Sequence, residues 1–158
     1  MPALPTAFAL GALVLVALLG SAFVITWLIA RGIARRLPPR GRFLDLPQGR
    51  IHYLEAGSGR PLVFVHGLGG QLGNFAYALL DRLSDRFRVV LIDRPGSGHS
   101  PRSWRAAADL PGQADTILSV IRHLGLERPI VVGHSLGGAV ALALGCEPNQ
   151  GVARVLVL

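Results

Sequence analysis

The chain changes its pattern of apolar and polar positions once, near residue 38. From Leu4 to Ala30 no residue is charged, and apolar side chains would ring a helix on all sides. Those 27 residues predict a helix long enough to cross a hydrocarbon core, which needs about 20. Trp27 near its end suits a membrane interface, and Pro38 and Pro39 stop its continuation. Beyond them, short apolar runs alternate with helical spacing. Arg42 to Leu46 and Arg50 to Glu55 read as strands of a hairpin, turned at Pro47-Gln48-Gly49. Pro61 to Val65, Arg88 to Ile92 and Pro129 to Val132 are continuous apolar runs, as in strands buried on both faces. Asn74 to Leu83 puts Phe75, Leu79, Leu80 and Leu83 on one side of a helix. Leu110 to Leu124 does the same with Ile117, Leu118, Ile121 and Leu124. A small-residue helix runs to about Cys146, Glu147 to Gly151 is a loop, and Val152 to Leu158 begins a last strand. Strand–helix alternation after a hairpin predicts an α/β fold: a parallel sheet with helices on both faces.

Charge sharpens the first part. All 16 basic residues are arginines. Seven lie between 31 and 60 (Arg31, Arg35, Arg36, Arg40, Arg42, Arg50, Arg60), opposed only by Asp45 and Glu55, so this segment holds +5 of the net +7. The basicity is local, with no accompanying basic-aromatic surface, which argues against nucleic-acid binding. Arg31, Arg35 and Arg36 follow the apolar run and no Lys or Arg precedes it. The positive-inside rule then predicts a single-pass anchor with the remainder in the cytoplasm. A cleaved signal peptide, with Gly20-Ser21-Ala22 as its processing site, is the alternative, and it would place the remainder outside the cytoplasm. The expected organisation is an anchor and basic flank over 1–36, a linker over 37–41 and a partial α/β domain over 42–158. Cys146 is the single cysteine, which excludes an intrachain disulfide and a cysteine metal site, and its small-residue surroundings predict a buried thiol. No cofactor or metal is implied.

Candidate chemistry follows three of the predicted strands. Gly133-His134-Ser135-Leu136-Gly137 fits G-x-S-x-G between a strand and a helix. A sharp turn there would force Ser135 into a strained backbone and present its hydroxyl above the sheet. The helix start behind it supplies N–H groups for a developing oxyanion. The bare pattern would also fit a glycine-rich turn without chemistry; the strand before it and helix after it favour a nucleophile. His66-Gly67-Leu68-Gly69-Gly70 follows the first buried strand, and Asp93-Arg94-Pro95-Gly96-Ser97-Gly98-His99-Ser100 follows the second.

With these three landmarks in order, residues 41 to 158 closely resemble the α/β-hydrolase superfamily. The resemblance implies Ser135 as nucleophile and the backbone N–H groups of Leu136 and Leu68 as the oxyanion hole. Gly67, Gly69 and Gly70 would let the loop approach a substrate, His66 would orient it, and His134 would border the nucleophile. Asp93, Gly96, Gly98 and Ser100 would be loop architecture. His52, His99 and His123 are expected at the surface or in loops. Superfamily members that open epoxides or displace halides carry Asp at the nucleophile position, so Ser135 implies carbonyl chemistry on a small acyl substrate through an acyl-serine. Peroxidase-like and acyltransferase members share the serine.

The family's triad continues with an acid and then a His after later strands. Only Glu147 among acids and histidines follows Ser135 here, and at the end of its helix it is expected to point the wrong way. The chain therefore reads as the front half of a hydrolase, with triad acid, base and lid absent. Little or no activity is the expectation for these 158 residues alone, as is aggregation through the open edge at Val155 to Leu158. The alternatives are a non-catalytic binding module of the same fold, or an inactive truncation product.

Overall fold

The computed structural model describes residues 3–36, 38–104, 106–146 and 151–158. It divides into two compact units, one ending at Pro38 and one beginning at Pro39.

The first unit is helix α1 (Ala3–Arg36). Its stretch Thr6–Ile33 has a mean hydropathy of 2.6, and none of it is covered by protein. At 28 residues it spans about 42 Å, against a hydrocarbon core of ~30 Å. By length and composition it can cross a membrane, a test that an N-terminal signal sequence also passes. The Arg31 guanidinium lies 4.5 Å from the Trp27 ring centre, a cation–π contact at the carboxyl end.

The second unit is one six-stranded sheet in the order β1-β2-β4-β3-β5-β6. β1 (Arg42–Leu46) and β2 (Gly49–Ala56) form the antiparallel hairpin. Its turn is two residues rather than three, because Gly49 already pairs with Leu46. β2 joins β4 (Phe87–Ile92) antiparallel. The other pairings are parallel: β4 with β3 (Arg60–Val65), β3 with β5 (Ile130–Gly133), and β5 with β6 (Arg154–Val157).

Strand alternation sends side chains to two separate cores. Val63, Val65, Val90, Ile92 and Val131 pack with α4 (Leu110–His123) and α5 (Leu136–Cys146). Leu62, Phe64, Val89, Leu91 and Val132 point the other way. They meet a continuous helical segment, made of α2 (Gly73–Phe75), a π-helical stretch Ala76–Leu80 and α3 (Asp81–Ser84). The wider π turn brings the successive Leu79 and Leu80 to the packed side, with Phe75 and Leu83. The α4 start is set by Asp109, whose carboxylate accepts the Gly112 N–H, with Pro111 inside the first turn.

Cys146 departs from expectation: it is exposed. The buried face of α5 runs through Gly137, Val140, Ala141 and Leu144, and two residues further the helix has turned Cys146 to the opposite side. Glu147 lies outside the described residues.

The two faces of α4 and α5 make a direct test. Ile117 is 1 % exposed and Leu142 is 52 % exposed. Ile117→Ala is expected to cost about 2–5 kcal/mol and Leu142→Ala about 0.5 kcal/mol or less in chemical denaturation. Equal losses would contradict this packing.

Candidate functional site

Three loops leave the carboxyl ends of β3, β4 and β5, the side on which open α/β sheets build their sites. The β5 loop is the tightest. Ser135 sits between β5 and α5 with φ +52, a left-handed conformation costly for a residue with a side chain. It is held there on both sides: its N–H donates to Leu158 O (3.1 Å), and its carbonyl accepts Gly138 N–H (2.8 Å). The turn exists because two neighbours lack a Cβ. One on Gly137 would strike the Val65 carbonyl, and one on Gly133 would strike the Gly137 carbonyl. Helix α5 thus starts in backbone contact with the ends of β3 and β5. The side chains of His134 and Ser135 are exposed, and Ser135 Oγ has no hydrogen-bond partner among the described residues.

The β3 loop lies against this turn. A Cβ on Gly67 would come 3.1 Å from both Ser135 Cβ and His134 Nδ1. His66, Gly67, Leu68, Gly69, Gly70 and His134, with Asn74 and Phe75, line a cavity of about 290 Å³. The N–H groups of Leu68 and Leu136 have no acceptor among the described residues. The remaining polar groups of the loop turn inward. Buried His66 places Nδ1 2.8 Å from Gly67 O, and Nε2 accepts the Arg94 N–H (3.1 Å). That pattern requires a neutral ring with its proton on Nδ1. Burial is the main cause holding the His66 pKa below its ordinary value, with Arg94 adding to it and the Gly67 carbonyl and Asp93 opposing.

The β4 loop winds around a fully buried carboxylate. Asp93 Oδ1 accepts Leu72 N–H (2.7 Å), and Oδ2 accepts His99 N–H (2.9 Å) and meets His52 Nδ1 (2.8 Å). A Cβ on Gly98, which has φ +54, would collide with that carboxylate. Ser100 Oγ donates to Asp93 O and accepts His52 N–H, both at 2.8 Å, and Gly96 N–H closes the loop on Ser100 O (2.9 Å).

His52 corrects a sequence expectation. It is 1 % exposed on interior strand β2, with Nε2 2.7 Å from Arg40 O. The linker carbonyl and the Asp93 loop cover a strand face that local sequence alone would leave open. His99 is half-buried and stacks edge-on against His52 (5.1 Å between centres), while His123 is exposed. Sequence reasoning also passed over Arg94, which is 4 % exposed and bonded to His66 O, Gly67 O and Gln113 Oε1. An arginine inside D-x-x-G-x-G-x-S carries no local mark of burial.

His66 gives the site a pH signature. Its folded-state pKa lies below the unfolded value near 6.5, so the unfolded chain takes up this proton first as pH falls. Its contribution to stability is complete above about pH 7 and is lost as pH drops through the unfolded value toward the folded one. Wild-type denaturation free energies should fall between pH 7 and 5 more steeply than those of His66→Gln; parallel slopes would exclude His66 as the source.

The chain is similar to known proteins in sequence and fold. Residues 60–158 match the family model described as alpha/beta hydrolase fold. Over 119 residues the chain is 38 % identical to the dihydrolipoyllysine-residue acetyltransferase component of the acetoin cleaving system from Cupriavidus necator, covering 74 % of this chain and 31 % of that one. Over 121 residues it is 33 % identical to haloalkane dehalogenase 2 of Mycobacterium bovis, covering 76 % and 42 %. The solved structure of the N-acyl homoserine lactonase AidH complexed with N-butanoyl homoserine superposes with a TM-score of 0.69 at 27 % identity, covering 75 % and 44 %. The chain spans less than half the length of each of these proteins. With a family match across residues 60–158 and a sheet, turn and loops of this form, the chain belongs to the α/β-hydrolase fold family.

Proposed function

We propose that this chain is the nucleophile-bearing part of a membrane-anchored serine hydrolase acting on a small acyl substrate. The observation that carries the reading is Ser135: a left-handed, solvent-facing serine at a strand–helix turn, beside two backbone N–H groups with no acceptor among the described residues. A fold keeps such strain only where the surroundings over-determine it, and strain of this kind clusters at reactive sites.

In this reading Ser135 Oγ attacks the acyl carbon in the cavity beside the β3 loop. Charge developing on the acyl oxygen is met by the N–H groups of Leu68 and Leu136, aided by the amino end of α5. The leaving group departs, and water then cleaves the acyl-serine. The relatives include an enzyme named for dehalogenation and others named for hydrolysing a carbamate or a substituted succinate, so membership alone does not fix the bond. A serine nucleophile favours an ester, thioester, amide or lactone, since its acyl adduct can be hydrolysed in turn. No imidazole or carboxylate partners Ser135 Oγ among the described residues, and general-base help is worth roughly 10²–10⁴-fold. Little or no turnover by the 158 residues alone belongs to the proposal. So do the assignments of residues 1–36 to anchor and basic flank, 37–41 to linker and 42–158 to hydrolase, with residues 4–30 in the bilayer and the hydrolase part on the cytoplasmic side.

A fluorophosphonate probe tests the nucleophile. The full-length protein in its membrane fraction should be labelled at Ser135, and Ser135→Ala should lose about 95 % or more of that signal, as an order-of-magnitude expectation for removing the attacking atom. Equal labelling of both would sink the assignment. Alkaline carbonate washing tests the anchor: the chain should stay with the membrane pellet, and release of a shortened form would point to a processed signal sequence.

A further inference from the structure

The geometry points to Arg94 as a positioning residue that aims and polarises the Leu68 N–H for an oxyanion. This deepens the reading of Ser135 as nucleophile and rests on it for its catalytic meaning. Arg94 is a buried guanidinium with no carboxylate bonded to it among the described residues; its three donor groups reach His66 O (2.8 Å), Gly67 O (2.8 Å) and Gln113 Oε1 (2.6 Å). Such a charge is expensive to bury unless it is fully hydrogen-bonded. Two of its three bonds go to carbonyls of the β3 loop.

Gly67 O is the decisive atom. It receives Arg94 Nη2 (2.8 Å), His66 Nδ1 (2.8 Å) and the Gly70 N–H (3.2 Å). Gly67 C=O and Leu68 N–H are two ends of one planar trans peptide, so they point in opposite directions. Pinning the carbonyl inward therefore drives the N–H outward, toward the cavity lined by Leu68 and His134. Three donors on the oxygen, one of them cationic, also draw electron density from the nitrogen and strengthen its N–H as a donor. Gln113 anchors the third corner of the guanidinium to α4 and so ties the loop to the helix layer.

The same polarisation should make the Leu68 N–H unusually acidic, because the anion left by its deprotonation places charge on Gly67 O. Leu68 is 84 % exposed, so hydroxide can reach it. Amide hydrogen exchange of the full chain in detergent micelles, read by NMR, measures this without any turnover. In the unaltered protein Leu68 should exchange faster than an unstructured leucine amide, and in Arg94→Met several-fold more slowly than in wild type. Fluorophosphonate labelling of Ser135 should slow roughly 10- to 100-fold in Arg94→Met, short of the ~10²–10³ lost with a whole oxyanion donor. Arg94→Lys, with charge but no fork, should recover only part, and added guanidinium should partly restore Arg94→Ala. A folded Arg94→Met with wild-type labelling and unchanged Leu68 exchange overturns the inference. If Arg94→Met does not fold, Leu68 exchange in the unaltered protein decides, and a rate below the unstructured reference overturns it. Labelling that Ser135→Ala leaves unchanged would sink the nucleophile reading instead, leaving the exchange measurement to judge Arg94.

Discussion

Everything at the carboxyl edge of this sheet depends on one close approach: helix α5 begins in backbone contact with strand β3. Position 137 must lack a Cβ, because that atom would lie on the Val65 carbonyl. Position 133 must lack one too, or it would strike the first turn of the helix. With both gaps present the chain reverses within two residues, and the left-handed strain falls on the residue between them, Ser135. Hydrogen bonds from Ser135 to Leu158 and from Gly138 back to Ser135 hold the strained form. An exposed hydroxyl, and beside it an N–H without an acceptor among the described residues, follow from packing, before any chemistry is invoked.

The neighbouring loops are held by a different device, buried charges satisfied mainly by backbone. Asp93 collects N–H groups from Leu72 and His99 together with the His52 ring, so it fastens the start of the α2 segment, its own loop and strand β2. Arg94, the next residue, collects carbonyls from the β3 loop. One residue gathers donors and its neighbour gathers acceptors. Between them they determine which peptide groups of the β3 loop face inward and which face the cavity. Low exposure makes each of these bonds matter more than a surface contact would.

Family membership and chemistry rest on different grounds. The fold supports many reactions, and the relatives' names alone cover acyl transfer, dehalogenation and hydrolysis. What narrows the field is the identity of the residue at the strained position. A serine there suits acyl substrates. Helix α1 is long and apolar enough to cross a membrane, a property independent of the sheet that an N-terminal signal sequence shares.

Periodicity alone located the strands and helices, because each depends on neighbours a few residues away. The continuous apolar runs 61–65 and 88–92, the spacing of Phe75, Leu79, Leu80 and Leu83, and the glycines around Ser135 were all legible in the sequence. The hairpin turn, one residue shorter than expected, and the π turn at 76–80 show where local pattern blurs. The burial of His52, the exposure of Cys146 and the bonds of Arg94 were decided only by the tertiary structure. His52 meets Asp93 across 41 positions of sequence, and Arg94 meets His66 across 28. Cys146 is exposed because the helix phase, set by contacts of Val140 and Leu144, turns it outward. A sequence displays which side chains can bury themselves. The partners that let a charged or polar one do so come from distant segments, and only the folded chain brings them together.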